Sequence, residues 1–131
     1  MAHPLESIIR DAYAAFNRGD LDGYLAACTP DVSFHVPGRS AAAGSYHAKE
    51  GLAKLAGVVI EIAGDTFQED VEDVLANDVH AVVLARHRFT RDGLRKDYRT
   101  AHVYEVRDGK LARCYEQPRD MEAFDDAWGP R

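Results

Sequence analysis

Two Asp-Gly pairs, Asp92-Gly93 and Asp108-Gly109, punctuate residues 78–116, and each is flanked by runs of Val, Ala, Tyr, Phe and Leu. Asp-Gly supplies the positive φ angles that tight hairpin turns demand, so the pattern predicts three consecutive antiparallel strands. A half-buried sheet normally faces its core with aliphatic residues. Here His87, Tyr98, His102, Tyr104, Cys114 and Glu116 stand in such positions, and a sheet that turns titratable groups toward its covered face is lining something.

Successive strand residues point to opposite faces, which groups Val83, Ala85, His87 and Phe89 on one side of their strand, and Tyr98, Thr100, His102 and Tyr104 on one side of theirs. A three-residue second turn with Gly109 in the left-handed conformation pairs Val106 with Lys110. His102 then lies opposite Cys114, Thr100 opposite Glu116, and Glu116 is a diagonal neighbour of His102. The first turn has two or three residues, and the choice flips every side chain of the strand carrying His87; the register with Val83 and Phe89 inward is adopted.

Upstream, Pro4 fits a first helical turn, and Leu5, Ile8, Ile9, Ala12, Tyr13 and Phe16 form one apolar stripe ending near Gly19. Asp20 caps a second, shorter helix with Leu21, Tyr24, Leu25 and Cys28, stopped by Thr29-Pro30. Residues 32–36 read as a strand, 39–44 as a small-residue loop, and 47–63 as a third helix despite the β-branched Val58-Val59-Ile60. Residues 67–75 alternate apolar and acidic side chains, a strand with one wet face. Residues 119–128 read as a short helix or an irregular tail. The order predicts an α+β domain, 1–131, with three N-terminal helices packed on a curved, mainly antiparallel sheet: a cone whose open end suits a small ligand.

A net charge of −6 argues against nucleic acid, whose phosphates need a basic face. With 46% hydrophobic residues in 131, a core forms without disulfides, and Cys28 and Cys114, far apart, read as reduced packing residues. No 18-residue apolar run and no signal-type apolar segment occurs, so a soluble, cytoplasmic protein without membrane contact is expected.

Four stretches carry a resemblance: Tyr13-Ala-Ala-Phe-Asn-Arg-Gly-Asp-Leu-Asp-Gly-Tyr-Leu, Phe34-His-Val-Pro-Gly, Ala43-Gly-Ser-Tyr-His-Ala-Lys-Glu-Gly-Leu and His102-Val-Tyr-Glu-Val-Arg-Asp-Gly-Lys-Leu. In this order they resemble the SnoaL-like, ketosteroid-isomerase-like branch of the nuclear transport factor 2-like superfamily, over nearly the whole chain. The resemblance implies a cone-shaped α+β barrel with an apolar pocket, commonly a homodimer through the outer sheet face, and chemistry that needs no cofactor. It also implies departures. The isomerase base falls at Val36, the isomerase tyrosine at Ala12 with Tyr13 one step off, and the second carboxylate at His102. An isomerase of that design is disfavoured. The Asp-Arg-Asp water site of the epoxide-hydrolase branch is disfavoured too, because Asp97 and Arg99 lie on the opposite parity from His102.

The expectation is therefore a cofactor-independent acid/base enzyme, an isomerase, cyclase, dehydratase or hydrolase, acting on a small apolar oxygenated molecule; the alternative is a ligand-binding or association module of the same fold. His102 is the candidate acid/base and Glu116 the carboxylate that fixes its tautomer; the competing reading of equal weight makes both part of a buried structural network. Tyr46, His87, Tyr98, Tyr104, His35, Phe89 and Cys114 are candidate substrate contacts, with packing or rim positions as the competing reading. No zinc-type or iron-type spacing joins the histidines, so no metal is expected.

Overall fold

A computed structural model describes residues 2–131. The chain runs α1 (Pro4–Asn17), α2 (Leu21–Leu25), β1 (Cys28–Val36), β2 (Gly44–His47), α3 (Ala48–Ala63), β3 (Gln68–Ala76), β4 (His80–Arg91), β5 (Leu94–Arg107), β6 (Lys110–Pro118) and α4 (Met121–Trp128). One curved six-stranded sheet has the order β2-β1-β6-β5-β4-β3, and the four helices make this a mixed α+β fold.

Local chemistry sets the elements. His3 caps α1 by accepting from the Leu5 amide while Glu6 reaches back to the His3 amide, and Pro4 opens the helix where its missing N–H costs nothing. Asp20 and Asp120 cap α2 and α4 by accepting from the Gly23 and Ala123 amides. Leu5, Ile9, Ala12 and Tyr13 of α1, with Leu52, Val59 and Ala63 of α3, are buried in one core with the inward residues of the sheet. Val58-Val59-Ile60 remains helical because this burial outweighs a small propensity deficit.

Both Asp-Gly pairs form two-residue turns. Arg91 pairs with Leu94 and Arg107 with Lys110, and all four turn residues have positive φ, from 53° to 77°. The strand carrying His87 faces as expected, with Val83, Ala85, His87 and Phe89 all buried. The second hairpin corrects the sequence register: His102 pairs with Glu116 and Tyr104 with Cys114, not His102 with Cys114. A tight turn alone would put Tyr115 opposite His102. A bulge between Glu105 and Val106 on one side and Leu111 and Arg113 on the other, with Ala112 as the extra residue, restores Glu116 to the inner face.

Other differences have local causes. α2 stops at Leu25, and Cys28 begins β1 because it pairs with Leu111 of β6, a parallel contact that local sequence does not encode. Gly44–His47, expected to be loop and helix start, is a short strand on β1. The end of the chain is helical, as α4 lays Phe124, Ala127 and Trp128 into the core.

Candidate active site

Two rows of paired residues cross the inner face of the sheet. In one, Glu69 of β3 pairs with His87 of β4, which pairs with Tyr98 of β5. In the other, Val83 of β4 pairs with His102 of β5, which pairs with Glu116 of β6. Strand pairing thus sets an imidazole beside a carboxylate twice, and the two imidazole rings lie 5.2 Å apart. All four groups are buried, at 2% exposure for His87 and His102, 8% for Glu69 and 6% for Glu116.

The His102 pair is fully hydrogen-bonded. Nε2 is 3.0 Å from Glu116 Oε1, Thr100 donates its hydroxyl to Glu116 Oε2, and Nδ1 is 2.5 Å from the Tyr13 hydroxyl. Behind Tyr13 the hydroxyls of Tyr104 and Tyr24 continue the chain at 2.5 and 2.7 Å. For Glu116, burial is the largest influence and pushes its pKa up, but the charge and hydrogen bond of His102, with His87 and Thr100, push harder together, and the net direction is down. For His102, burial again acts first and lowers; the charge of Glu116 and its hydrogen bond reverse it, and the net direction is up. Both directions describe an imidazolium–carboxylate pair. Burial drives Tyr13, Tyr24, Tyr98 and Tyr104 well above the ordinary phenol range, so all four remain hydroxyl donors.

The His87 pair is looser. Trp128 of α4 donates its indole N–H to the Tyr98 oxygen at 2.8 Å, and that hydroxyl lies 2.9 Å from His87 Nδ1. His87 Nε2 is 3.1 Å from Glu69 Oε1 but off the hydrogen-bonding direction, and it is buried without a partner. A carboxylate there only accepts, so a neutral His87 carries its proton on Nε2 and takes the Tyr98 hydrogen at Nδ1. The backbone of Glu69 is fixed from α1: the Asn17 side chain donates to its carbonyl and accepts from its amide, each at 2.9 Å.

These groups form the floor of a cavity of about 70 Å³, whose remaining wall is apolar, with Phe34, Leu52, Leu55, Val59 and Phe124 among the lining residues. Neither Lys nor Arg lines it. The volume is well below the ~300–1,000 Å³ of drug-sized sites, so the space suits a compact guest.

Of the residues anticipated from sequence, His102, Glu116, His87 and Tyr98 line the cavity. The others do not. Tyr46 points its hydroxyl at the Ala42 carbonyl, Phe89 stacks on Trp128 at 4.3 Å, and Tyr104 and Cys114 are buried as a cross-strand pair behind Tyr13. Burial pushes the Cys114 thiol up, and Cys28 to about 12, as expected of packing groups. His35 lies on the outer face, bonded to Ser45 and stacked on Tyr115 at 5.0 Å, because its parity opposes that of Phe34 and Val36. The isomerase tyrosine placed at Ala12 is corrected as well: Tyr13 is the residue of α1 whose hydroxyl reaches the site.

Two contributors escaped the sequence. Tyr13 sat inside a helical apolar stripe that accounted for it fully. Glu69 was counted on the wet face of an alternating strand, but a bulge between Val71 and Asp73 puts Glu69 and Val74 on the same, inner side. The unusual packing of Glu69 between Phe67 and Val71 was the available signal.

The SnoaL-like domain family matches residues 9–114. The chain is 33% identical over 122 residues to an uncharacterized protein of Mycobacterium tuberculosis H37Rv, covering 92% of this chain and 93% of the relative. Among solved structures it is similar to Bal32a, from a soil-derived mobile gene cassette, with TM-score 0.87 and 30% identity over 94% of this chain and 95% of that one. A Burkholderia pseudomallei NTF2-like protein of unknown function shares the fold, with TM-score 0.83 and 22% identity over 93% and 95%. With the family matched over most of its length, the chain belongs to the SnoaL-like domain family, and it shares the fold of NTF2-like proteins.

Proposed function

We propose that the protein is an acid/base enzyme that moves protons next to a carbonyl on a compact apolar molecule, as an isomerase or dehydratase does. Its family includes some enzymes, hydroxylases and isomerases among them. The observation that carries the proposal is the pair of imidazole–carboxylate couples inside one apolar cavity, since a water-poor site strengthens each proton transfer and keeps competing water away.

The roles follow from donors and acceptors. A protonated His102 donates to Glu116 from Nε2 and to Tyr13 from Nδ1. With Tyr104 donating as well, both acceptor positions of the Tyr13 oxygen are filled, and its own hydrogen is free for a substrate oxygen. Glu69, steadied by His87, takes the proton from the carbon beside the carbonyl. Tyr13 gives its hydrogen to the carbonyl oxygen and is resupplied from His102 Nδ1. As the enol hydroxyl gives its proton back through Tyr13 to His102 and the carbonyl reforms, returning the Glu69 proton to another carbon gives an isomer, and giving it to a departing hydroxyl gives water and an unsaturated product.

The same reading includes a homodimer formed through the outer sheet face, away from the cavity. The test of the chemistry is solvent exchange: compact cyclic ketones and enones incubated with the protein in D2O and followed by NMR. The wild type is expected to exchange the carbon-bound hydrogen of at least one, with Tyr13→Phe and Glu69→Gln slower by about 10²-fold or more. Binding without any exchange would favour a ligand carrier, and exchange unchanged in both variants would sink the assignment.

A further inference from the structure

We propose that Glu69, His87 and His102 also form a site for one divalent transition-metal ion of zinc's kind. A carboxylate oxygen of Glu69 and one ring nitrogen from each histidine lie within 4.8 Å of one another, and all three residues are buried. The inference uses the residues of the proposed proton-transfer site but does not depend on their acting on a substrate.

Three observations converge. First, His87 Nε2 is buried with no hydrogen-bond partner, 3.1 Å from Glu69 Oε1, so a nitrogen and an oxygen already share a direction that nothing fills well. Second, each imidazole is held by a second group, as metal-binding imidazoles are. His87 Nδ1 is held by Tyr98, itself fixed by Trp128. Whichever nitrogen of His102 turns to the ion, the other keeps Glu116 or Tyr13. Third, two buried carboxylates line a cavity that has no Lys or Arg in its wall, so a dication supplies charge compensation that no fixed cation in the lining provides.

The donor set narrows the ion. Two imidazoles and one carboxylate suit zinc or ferrous iron and not magnesium or calcium, which want oxygen shells. Tetrahedral bonds of ~2.0–2.1 Å put ligand atoms about 3.4 Å apart, so the widest separation must close by roughly 1.4 Å, within the reach of side-chain rotation. The apolar side of the cavity leaves the remaining coordination to water or a guest.

The probe is Co2+ added to the EDTA-treated full chain, followed by visible ligand-field absorption, with displacement by Zn2+ measured calorimetrically. One equivalent is expected to bind with bands of low coordination number. Glu69→Gln should lose those bands, and Tyr98→Phe should keep them while weakening affinity about 10–100-fold. Circular dichroism confirms that both variants are folded. His35→Ala controls for the exposed His35 and His47 pair, whose rings are 5.9 Å apart. Bands absent from the wild type, bands surviving Glu69→Gln, or bands removed by His35→Ala would each overturn the site. Because absorption is read without turnover, a negative result leaves the exchange assay standing, and a failed exchange assay leaves the absorption standing.

Discussion

His102 and Glu116 tie stability to pH in a direction that can be worked out. Glu116 is lowered from its ordinary 4.5, so its stabilisation is present above that value and is lost as pH falls through the folded-state pKa. His102 is raised from 6.5, so its stabilisation is full below that value and is lost as pH rises through the folded-state pKa. Denaturant titrations should therefore find this pair's contribution greatest between 4.5 and 6.5. Glu116→Gln should cost about 3 kcal/mol there by leaving an imidazole buried without its counter-charge. It should also reverse the limb around 6.5, because burial, the largest influence on His102, is then opposed only by the smaller effect of the Glu69 charge, and protonating His102 destabilises. An unchanged limb in Glu116→Gln would mean that another group sets it. This pair was legible in the sequence because parity survives a register error of two residues: both the expected and the observed pairing put His102 and Glu116 on one face. Tyr13 was not legible, since a tyrosine in an amphipathic helix already has a complete explanation in packing.

Turns and close approaches govern the elements. Gly109 has φ 74°, so Gly109→Ala should lose about 1 kcal/mol in equilibrium unfolding, through strain at a turn that any side chain resists. Gly51 lies where α3 leaves β2, and a Cβ there would sit 2.8 Å from the Tyr46 backbone carbon. Gly51→Ala should cost about 1–3 kcal/mol, because backbone has to move to admit it. Trp128→Phe removes the donor that fills the Tyr98 oxygen; it should lose about 1 kcal/mol and slow exchange while leaving the His102 limb of the pH–stability curve in place. The hairpins were legible from Asp-Gly, and the capped helices from Pro4, Asp20 and their apolar stripes. The bulges at Ala112 and near Glu72 were not, because an extra residue in one strand leaves no mark on composition. Deleting Ala112 should remove the bulge and leave His102 opposite Glu116, so the variant should keep both the pH limbs and the exchange activity.

At the scale of the whole molecule, the outer sheet face offers Leu75 and Leu84, both exposed, among ion pairs such as Arg86–Asp97 and Arg99–Glu72. The proposed homodimer should sediment at twice the chain mass, and Leu84→Glu should shift it toward monomer; a wild type that sediments as monomer at all concentrations would refute it. No helix among the described residues is long and apolar enough to cross a membrane. Helices before a run of hairpins made the α+β class legible, whereas the place of β6 was not, since its pairing with β1 spans most of the chain. β6 is the last strand made, yet it sits in the middle of the sheet, between β1 and β5. A nascent chain therefore holds β1 and β5 without the strand that joins them until residues 110–118 have been made. The native sheet therefore forms only once β6 has been made, and chains stalled before Pro118 should be exposed to proteases.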